Sequence, residues 1–300
     1  MRTRHPVMTI AAILIIILIS CNSEVERILT GEYSYYEEFY YKTPQMLDEC
    51  SVERYIKKVQ AMYDMYLNDD MNVYVTVIPN KSFYIEEEVA EEYYNKMVNM
   101  LRDNFTAAEY IELSDTLKLE SYYKTDDHWR QEMLEDAVYR LGYEMGFVID
   151  FTKFTEQEYD SFIGMYNSQI DDLHPEELIF MTSEYTIDAH VDNFVDAELT
   201  DVYDLPKLYT INMYDIFLSG VSPIITITNE HAENDCELII FRDSFASSIT
   251  PLLLEAYSKI TLIDSRFIMM DIIGDYVEFA NQDVIFMHSD LIINNSLLLK

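Results

Sequence analysis

Apolar positions along this chain switch repeatedly between a helical spacing and short unbroken runs, and the alternation predicts a sheet wrapped by helices. Between residues 43 and 67, Met46, Val52, Ile56, Val59, Met62 and Tyr66 follow the three- and four-residue steps of one helix face, and Thr43-Pro44 marks the start. The run NVYVTVI at 72–78, closed by Pro79-Asn80, predicts a strand; a second helix over about 86–104 and a short strand at 110–113 follow. The helical period returns at 131–147 with Met133, Leu134, Ala137, Val138, Leu141 and Met145. Near the carboxyl end, β-rich runs at 237–241, 259–263 and 283–287 alternate with helical stretches at about 246–257 and 267–279. Helices alternating with strands predict an α/β fold with a parallel sheet, and runs without polar alternation suit strands buried on both faces.

Two regions break this rhythm. Residues 151–236 mix short β-prone runs (ELIFMTSEYTI, KLYTIN, IITIT) with Asp-rich turns, which predicts a mostly β insertion or second lobe within a domain spanning 44–300. Residues 21–43 are acidic and rich in tyrosine and read as a tether. At 300 residues and 49% hydrophobic, the chain has material for one large domain with an insertion.

Residues 1–20 read as an export signal. Arg2, Arg4 and His5 form a basic head, and the apolar core at 8–19 is shorter than the roughly 20 residues a spanning helix needs. Leu18-Ile19-Ser20-Cys21 fits the bacterial lipobox, which implies cleavage before Cys21 and a diacylglyceryl group on its sulfur. Two acyl chains anchor stably where one is marginal. The expected location is extracytoplasmic, on a membrane reached through Cys21.

Charge and composition remove several classes of function. A formal charge of −35 repels nucleic acid at long range, so no nucleic-acid partner is expected. With six glycines, the chain has no G-x-G-x-x-G and no G-x-x-x-x-G-K-[ST] phosphate loop. It also lacks C-x-x-C and H-E-x-x-H, so no metal or organic cofactor is expected. Cys50 and Cys236 are expected to be buried free thiols.

Two short stretches carry candidate chemistry. In SYYKTDDHWRQE (121–132), which holds the only tryptophan, a bland reading has Thr125 or an Asp capping the following helix with Trp129 packed beneath it. A second reading has Asp126 orienting His128 as a base. A third, a metal on Asp126, Asp127 and His128, asks three adjacent ligands to wrap one ion and lacks the rest of a shell. In IIFRDSFASS (239–248), Asp243-Ser244 occupies a strand-to-helix turn at the sheet edge where ligands bind in open α/β folds. Ser244 there is either a helix cap or a nucleophile whose own amide faces an oxyanion.

Taken together, YYKTDDHWRQE, FLSGVSP, FRDSFASSITPLL and KITLIDSRF, in this order, resemble the DHHW-motif family of bacterial surface proteins. That family is similar to the SGNH-hydrolase-like proteins of alginate O-acetylation. The resemblance runs from about residue 55 to 287 and includes IPNKSFY at 78–84. It implies a permuted SGNH-hydrolase-like α/β fold, with the parallel sheet flanked by helices. It also implies Ser244 as nucleophile, His128 as general base and acid, and Asp126 as the group that orients His128. Arg266 and Lys81, each just beyond a predicted strand, are either candidate ligands for a substrate hydroxyl or carboxylate or surface charges and partners for some of the 55 acids. Asn80 is the candidate for the asparagine of the oxyanion hole. Asp127 stands at the variable middle of Asp-x-His, and Arg242 stands where many SGNH enzymes have glycine. The implied activity is O-acetyl transfer to, or hydrolysis from, a cell-surface or extracellular carbohydrate, with an acetylated glycan as partner. The alternative is a catalytically silent surface protein that keeps the fold for glycan binding or assembly.

Overall fold

The strands with unbroken apolar runs are the ones that pair in parallel. The computed structural model describes residues 33–43, 46–86, 90–170, 173–196, 198–199, 201–232 and 234–300. The expected signal segment, Cys21 and the first part of the expected tether lie outside the described residues. The strands are β1 (Tyr33–Tyr36), β2 (Phe39–Lys42), β3 (Val73–Ile78), β4 (Glu109–Tyr110), β5 (Thr155–Phe162) and β6 (Glu176–Thr182), followed by β7 (His190–Asn193), β8 (Ile224–Thr228), β9 (Glu237–Arg242), β10 (Lys259–Ile263) and β11 (Asp283–Ser289). Seven of them form one sheet in the order β4-β3-β11-β9-β10-β8-β7. The pairs from β4 through β10 are parallel, and β8 and β7 add antiparallel at one side.

Strand alternation divides the core in two. Leu238 and Ile240 of β9, with Ile285 and Met287 of β11, join the buried cluster on one face; Ile239 and Phe241, with Val284 and Phe286, join the cluster on the other. Helices α1 (Glu49–Tyr66) and α2 (Asn95–Asn104) cover the second face through Val52, Tyr55, Val59, Met97 and Leu101. Helix α3 (Glu135–Met145) covers the first through Ala137, Val138 and Leu141. Burial of both faces explains why these strands lack polar alternation.

Several expectations are corrected. The 131–147 region is a 3₁₀ turn at Gln131–Met133 and then α3, which stops at Gly146 with φ +83°; the motif at 124–128 is a loop separated from α3 by that turn and caps no helix. The helix expected over 246–257 is one α turn, Ala246–Ile249, followed by a 3₁₀ turn, Thr250–Leu253, because Pro251 cannot donate into a continuing helix. At 267–279 only a 3₁₀ segment, Met270–Asp275, forms. Within residues 151–236, β5 and β6 pair with each other, and β7 and β8 extend the central sheet. Cys50 and Cys236 are free but exposed, so the burial expected for them is wrong. Among the described residues no helix is long and apolar enough to cross a membrane.

The part of the tether that is described is a docked hairpin. Glu37 and Glu38, both at positive φ, make the two-residue turn between β1 and β2. The Tyr40 amide donates to the Lys124 carbonyl at 2.9 Å, Lys42 pairs with Asp127 at 2.5 Å, and Lys124 pairs with Glu38 at 2.6 Å. The hairpin thus packs on the 124–128 loop.

Candidate active site

The carboxyl edge of the sheet gathers the candidate residues. Asp243-Ser244 follows β9 and Asp264 to Arg266 follows β10. Because β8 runs antiparallel to β10, with Ile224 opposite Ile263, the 217–223 turn arrives at the same edge. The Asp-His loop comes from elsewhere and is closed on itself by a bridge between Tyr122 and Trp129, with the Tyr123 amide on the His128 carbonyl at 3.1 Å. Trp129, fully buried, donates its indole N–H to the Phe245 carbonyl and to Ser248 Oγ, both at 2.9 Å. Gln131 donates to the Ser248 carbonyl at 2.6 Å. Two motifs more than a hundred residues apart in sequence are therefore fastened by the residues beside the candidate site residues.

Within that frame Asp126, His128 and Ser244 form one chain of hydrogen bonds. Asp126 Oδ1 lies 2.5 Å from His128 Nδ1, and His128 Nε2 lies 2.7 Å from Ser244 Oγ. Asp126 also accepts from the His128 amide at 3.0 Å and from the Met165 amide at 2.7 Å. Burial alone raises the Asp126 carboxyl, but the imidazole beside it and these hydrogen bonds bring it down to about 2. The imidazole stacks on Tyr214 with centroids 3.8 Å apart and 6° between planes, and Phe245 tilts against it at 4.9 Å. Tyr214 OH donates to Ser248 Oγ at 2.8 Å, so the ring that flanks the histidine is itself tied to the serine turn.

The segment 163–165 supports the loop from the other side. Gly164 donates to Thr125 Oγ1 at 2.8 Å, and a Cβ on Gly164 would stand 2.4 Å from both Asp126 Cβ and the Thr125 carbonyl oxygen. Glu176 accepts from the amides of Lys124 and Thr125 at 2.8 and 2.7 Å. Asp127 turns away from His128 and is held by Lys42 and by the Tyr166 hydroxyl. Sequence reasoning missed Gly164, Met165, Glu176 and Tyr214. The one signal that pointed toward them was the glycine in an otherwise β-prone run.

Ser244 and His128 open onto a cavity of about 180 Å³ whose wall includes Tyr214, Asp215, Arg242 and Arg266. Larger clefts of 440 and 500 Å³ lie elsewhere and contain neither residue. Among the remaining expected ligands, only Arg266 reaches the cavity, and its guanidinium grips Asp264 with Nε and Nη2 at 2.8 and 2.6 Å. Lys81 is corrected: it is 1% exposed, donates to the carbonyls of Tyr40 and Tyr123, and lies 4.9 Å from the Tyr166 ring, so it braces the hairpin and loop and does not line the cavity. Burial lowers its pKa to about 8 despite the nearby Asp127. Asn80 is corrected too, because its amide donates to Asp290 at 2.6 Å and its oxygen accepts from the Ser82 amide at 2.8 Å. Asp243 keeps the turn in shape by accepting from the amides of Phe245 at 3.0 Å and Ser289 at 2.7 Å. Among the described residues no group of three or more His, Cys, Asp or Glu is placed to hold a metal ion.

Neither a family model nor a curated protein sequence matches the chain. Solved structures do. A DHHW family protein from Eubacterium siraeum superposes with a TM-score of 0.70 at 15% identity, covering 88% of this chain and 92% of that one. Bacillus cereus PatB1 gives 0.69 at 17% identity, covering 87% and 97%. The O-acetyltransferase domain of Pseudomonas putida AlgJ gives 0.54 at 9% identity, covering 87% and 92%. The chain has the fold of these proteins, an SGNH-like α/β fold, and the neighbours include a member of the family that its motifs resemble.

Proposed function

We propose that this chain is an extracytoplasmic lipoprotein that moves O-acetyl groups to, or hydrolyses them from, a carbohydrate at or beyond the cell surface. The observation that carries the reading is the continuous chain from Asp126 through His128 to Ser244 at the cavity floor, 2.5 and 2.7 Å long at its two links. In this reading His128 Nε2 takes the Ser244 proton as Oγ attacks the acetyl carbonyl, and Asp126 holds the imidazole in the tautomer that leaves Nε2 free to accept. The tetrahedral oxyanion is held by the Ser244 amide. Collapse expels the alcohol, which takes the proton from His128 and leaves an acetyl ester on Ser244. A sugar hydroxyl or water then gives its proton to His128 and attacks that ester; the acetyl passes to the sugar or leaves as acetate, and Ser244 Oγ departs by taking the proton back from His128. The likeness to the O-acetyltransferase domain of AlgJ supports acetyl chemistry, and PatB1, also similar in fold, has been captured with a sulfonyl adduct. The lipobox at Cys21 supports the location.

One observation favours the silent alternative: the Asn80 amide, the expected second oxyanion donor, is engaged by Asp290. The test is covalent labelling with a serine-reactive sulfonyl fluoride, read by intact mass and peptide mapping, beside acetyl-ester turnover. The expected result is one adduct on Ser244, absent from Ser244→Ala and from His128→Ala, with turnover lost by at least about 10³-fold in both. A folded protein that takes no adduct and turns over no ester returns the loop to a purely structural role.

A further inference from the structure

The hairpin of β1 and β2 lies apart from the apolar core. Phe39 and Tyr41 are its buried apolar residues, and neither belongs to the clusters on the two faces of the sheet or to the smaller one around Tyr123 and Phe162. Its closest polar contacts go to the Asp-His loop. Tyr33 and Lys42 face each other across the hairpin. The Tyr33 ring meets Tyr166 edge-on with centroids 4.9 Å apart, and Lys42 Nζ lies 2.5 Å from Asp127 Oδ2. The Tyr166 hydroxyl donates to Asp127 Oδ1, so both carboxylate oxygens of Asp127 are held.

The loop is fastened differently at its two ends. Downstream of His128, Trp129 and Gln131 tie it to the serine turn. Upstream, the ties run away from the cavity. Lys81 donates to the carbonyls of Tyr40 and of Tyr123, the latter at 3.0 Å, and the Tyr40 amide donates to the Lys124 carbonyl. Glu176 takes the amides of Lys124 and Thr125. None of Lys42, Lys81, Asp127, Tyr166 and Glu176 lines the cavity, whereas Asp126 and His128 do. Asp127 is joined to each of those two by one planar peptide unit, so a turn of Asp127 carries both with it. Asp127 is 9% exposed at its side chain. A carboxylate so placed and left unpaired is costly, and without Lys42 the cost falls when the loop rotates Asp127 toward water.

We propose that Lys42 and Asp127 are positioning residues for the Asp126–His128 pair, so that the hairpin, remote from the cavity, aligns the site. This rests on the acetyl reading and adds to it what holds the histidine in place.

Lys42→Met, Lys42→Arg and Asp127→Asn, each checked for folding by circular dichroism, test the proposal. In Lys42→Met kcat for acetyl-ester turnover should fall by about 10- to 100-fold with KM changed by less than about twofold, because the histidine moves and the cavity wall does not. Lys42→Arg keeps the charge and should recover most of that loss. A second reading needs no turnover: the low-field proton resonance of the Asp126–His128 hydrogen bond, identified by its absence from His128→Ala, should broaden or move in Lys42→Met and persist in Lys42→Arg. A folded Lys42→Met with unaltered kcat or an unaltered resonance overturns the proposal. So does a loss carried by KM, or a Lys42→Arg as impaired as Lys42→Met. If Lys42→Met does not fold, the same two readings on Asp127→Asn decide, with the same losses expected. An unaltered protein that takes no Ser244 adduct and turns over no ester sinks the acetyl reading alone, and the resonance then decides the positioning role. If that protein shows no such resonance either, there is no aligned pair to position and the proposal falls with it.

Discussion

Asp126 accepts three hydrogen bonds, two from His128 and one from Met165, and its folded pKa of about 2 lies below its ordinary 3.8. A carboxyl depressed on folding stabilises the protein above its unfolded pKa, and the contribution is lost as pH falls through the folded value. The window is therefore roughly pH 4 down to 2, and the size is roughly 2 kcal/mol. Asp126→Asn should be less stable at neutral pH and should lose about that much less than the unaltered protein across the window in thermal melts; parallel curves would show that the carboxylate is not held as described. Gly164 is the second residue-scale test. Gly164→Ala puts a methyl 2.4 Å from the Thr125 carbonyl, so the loop must shift. The expected cost is about 1–3 kcal/mol, with kcat falling by more than KM changes, since the shift moves Asp126 and His128 rather than the cavity wall. An unaltered kcat in a folded variant would mean the loop absorbs the methyl without moving the histidine.

Among the elements, the hairpin of β1 and β2 reaches the Asp-His loop through Lys42, Tyr40 and Lys124. Lys42→Met leaves Asp127, 9% exposed at its side chain, with the Tyr166 hydroxyl as its side-chain hydrogen-bond partner among the described residues. Lys42 itself is more than a third exposed, so the loss should be about 1–2 kcal/mol, below the value for a fully buried pair. Urea unfolding of Lys42→Met reads that cost, and Lys42→Arg should recover part of it; a change below about 0.5 kcal/mol would make the hairpin contact incidental. This docking was illegible in sequence because an acidic, tyrosine-rich segment looks the same whether solvated or packed. By contrast β3, β9, β10 and β11 were legible, since burial on both faces leaves unbroken apolar runs. Spacing alone left Asp126, His128 and Ser244 with helix caps as an open reading; the resemblance of their motifs singled them out, and the structure brings their side chains together. Lys81 and Asn80 misled: strand-end position fixes which edge a residue occupies, but not whether the side chain is consumed by a neighbour. The helices after β9 and β10 misled for a local reason, since an apolar spacing of three or four suits a 3₁₀ turn as well as an α-helix.

Over the whole molecule the dominant fact is a surplus of acids, 55 against 20 lysines and arginines. Several of the basic side chains are spent in local pairs such as Lys96–Glu49 and Arg140–Asp115, and with 55 acids against 20 bases most carboxylates have no basic side chain to pair with. Folding brings those charges closer together, and the repulsion is a cost that solvent ions reduce. At about 0.01 M salt the screening length is roughly 30 Å, comparable to a domain; at about 0.15 M it is roughly 8 Å. Salt weakens the exposed pairs as well, but these contribute little individually. The melting temperature should therefore rise when sodium chloride is raised across that range at neutral pH, and the rise should shrink as pH approaches the sequence pI near 4.2. A melting temperature that falls with salt at neutral pH would mean the local pairs outweigh the global field.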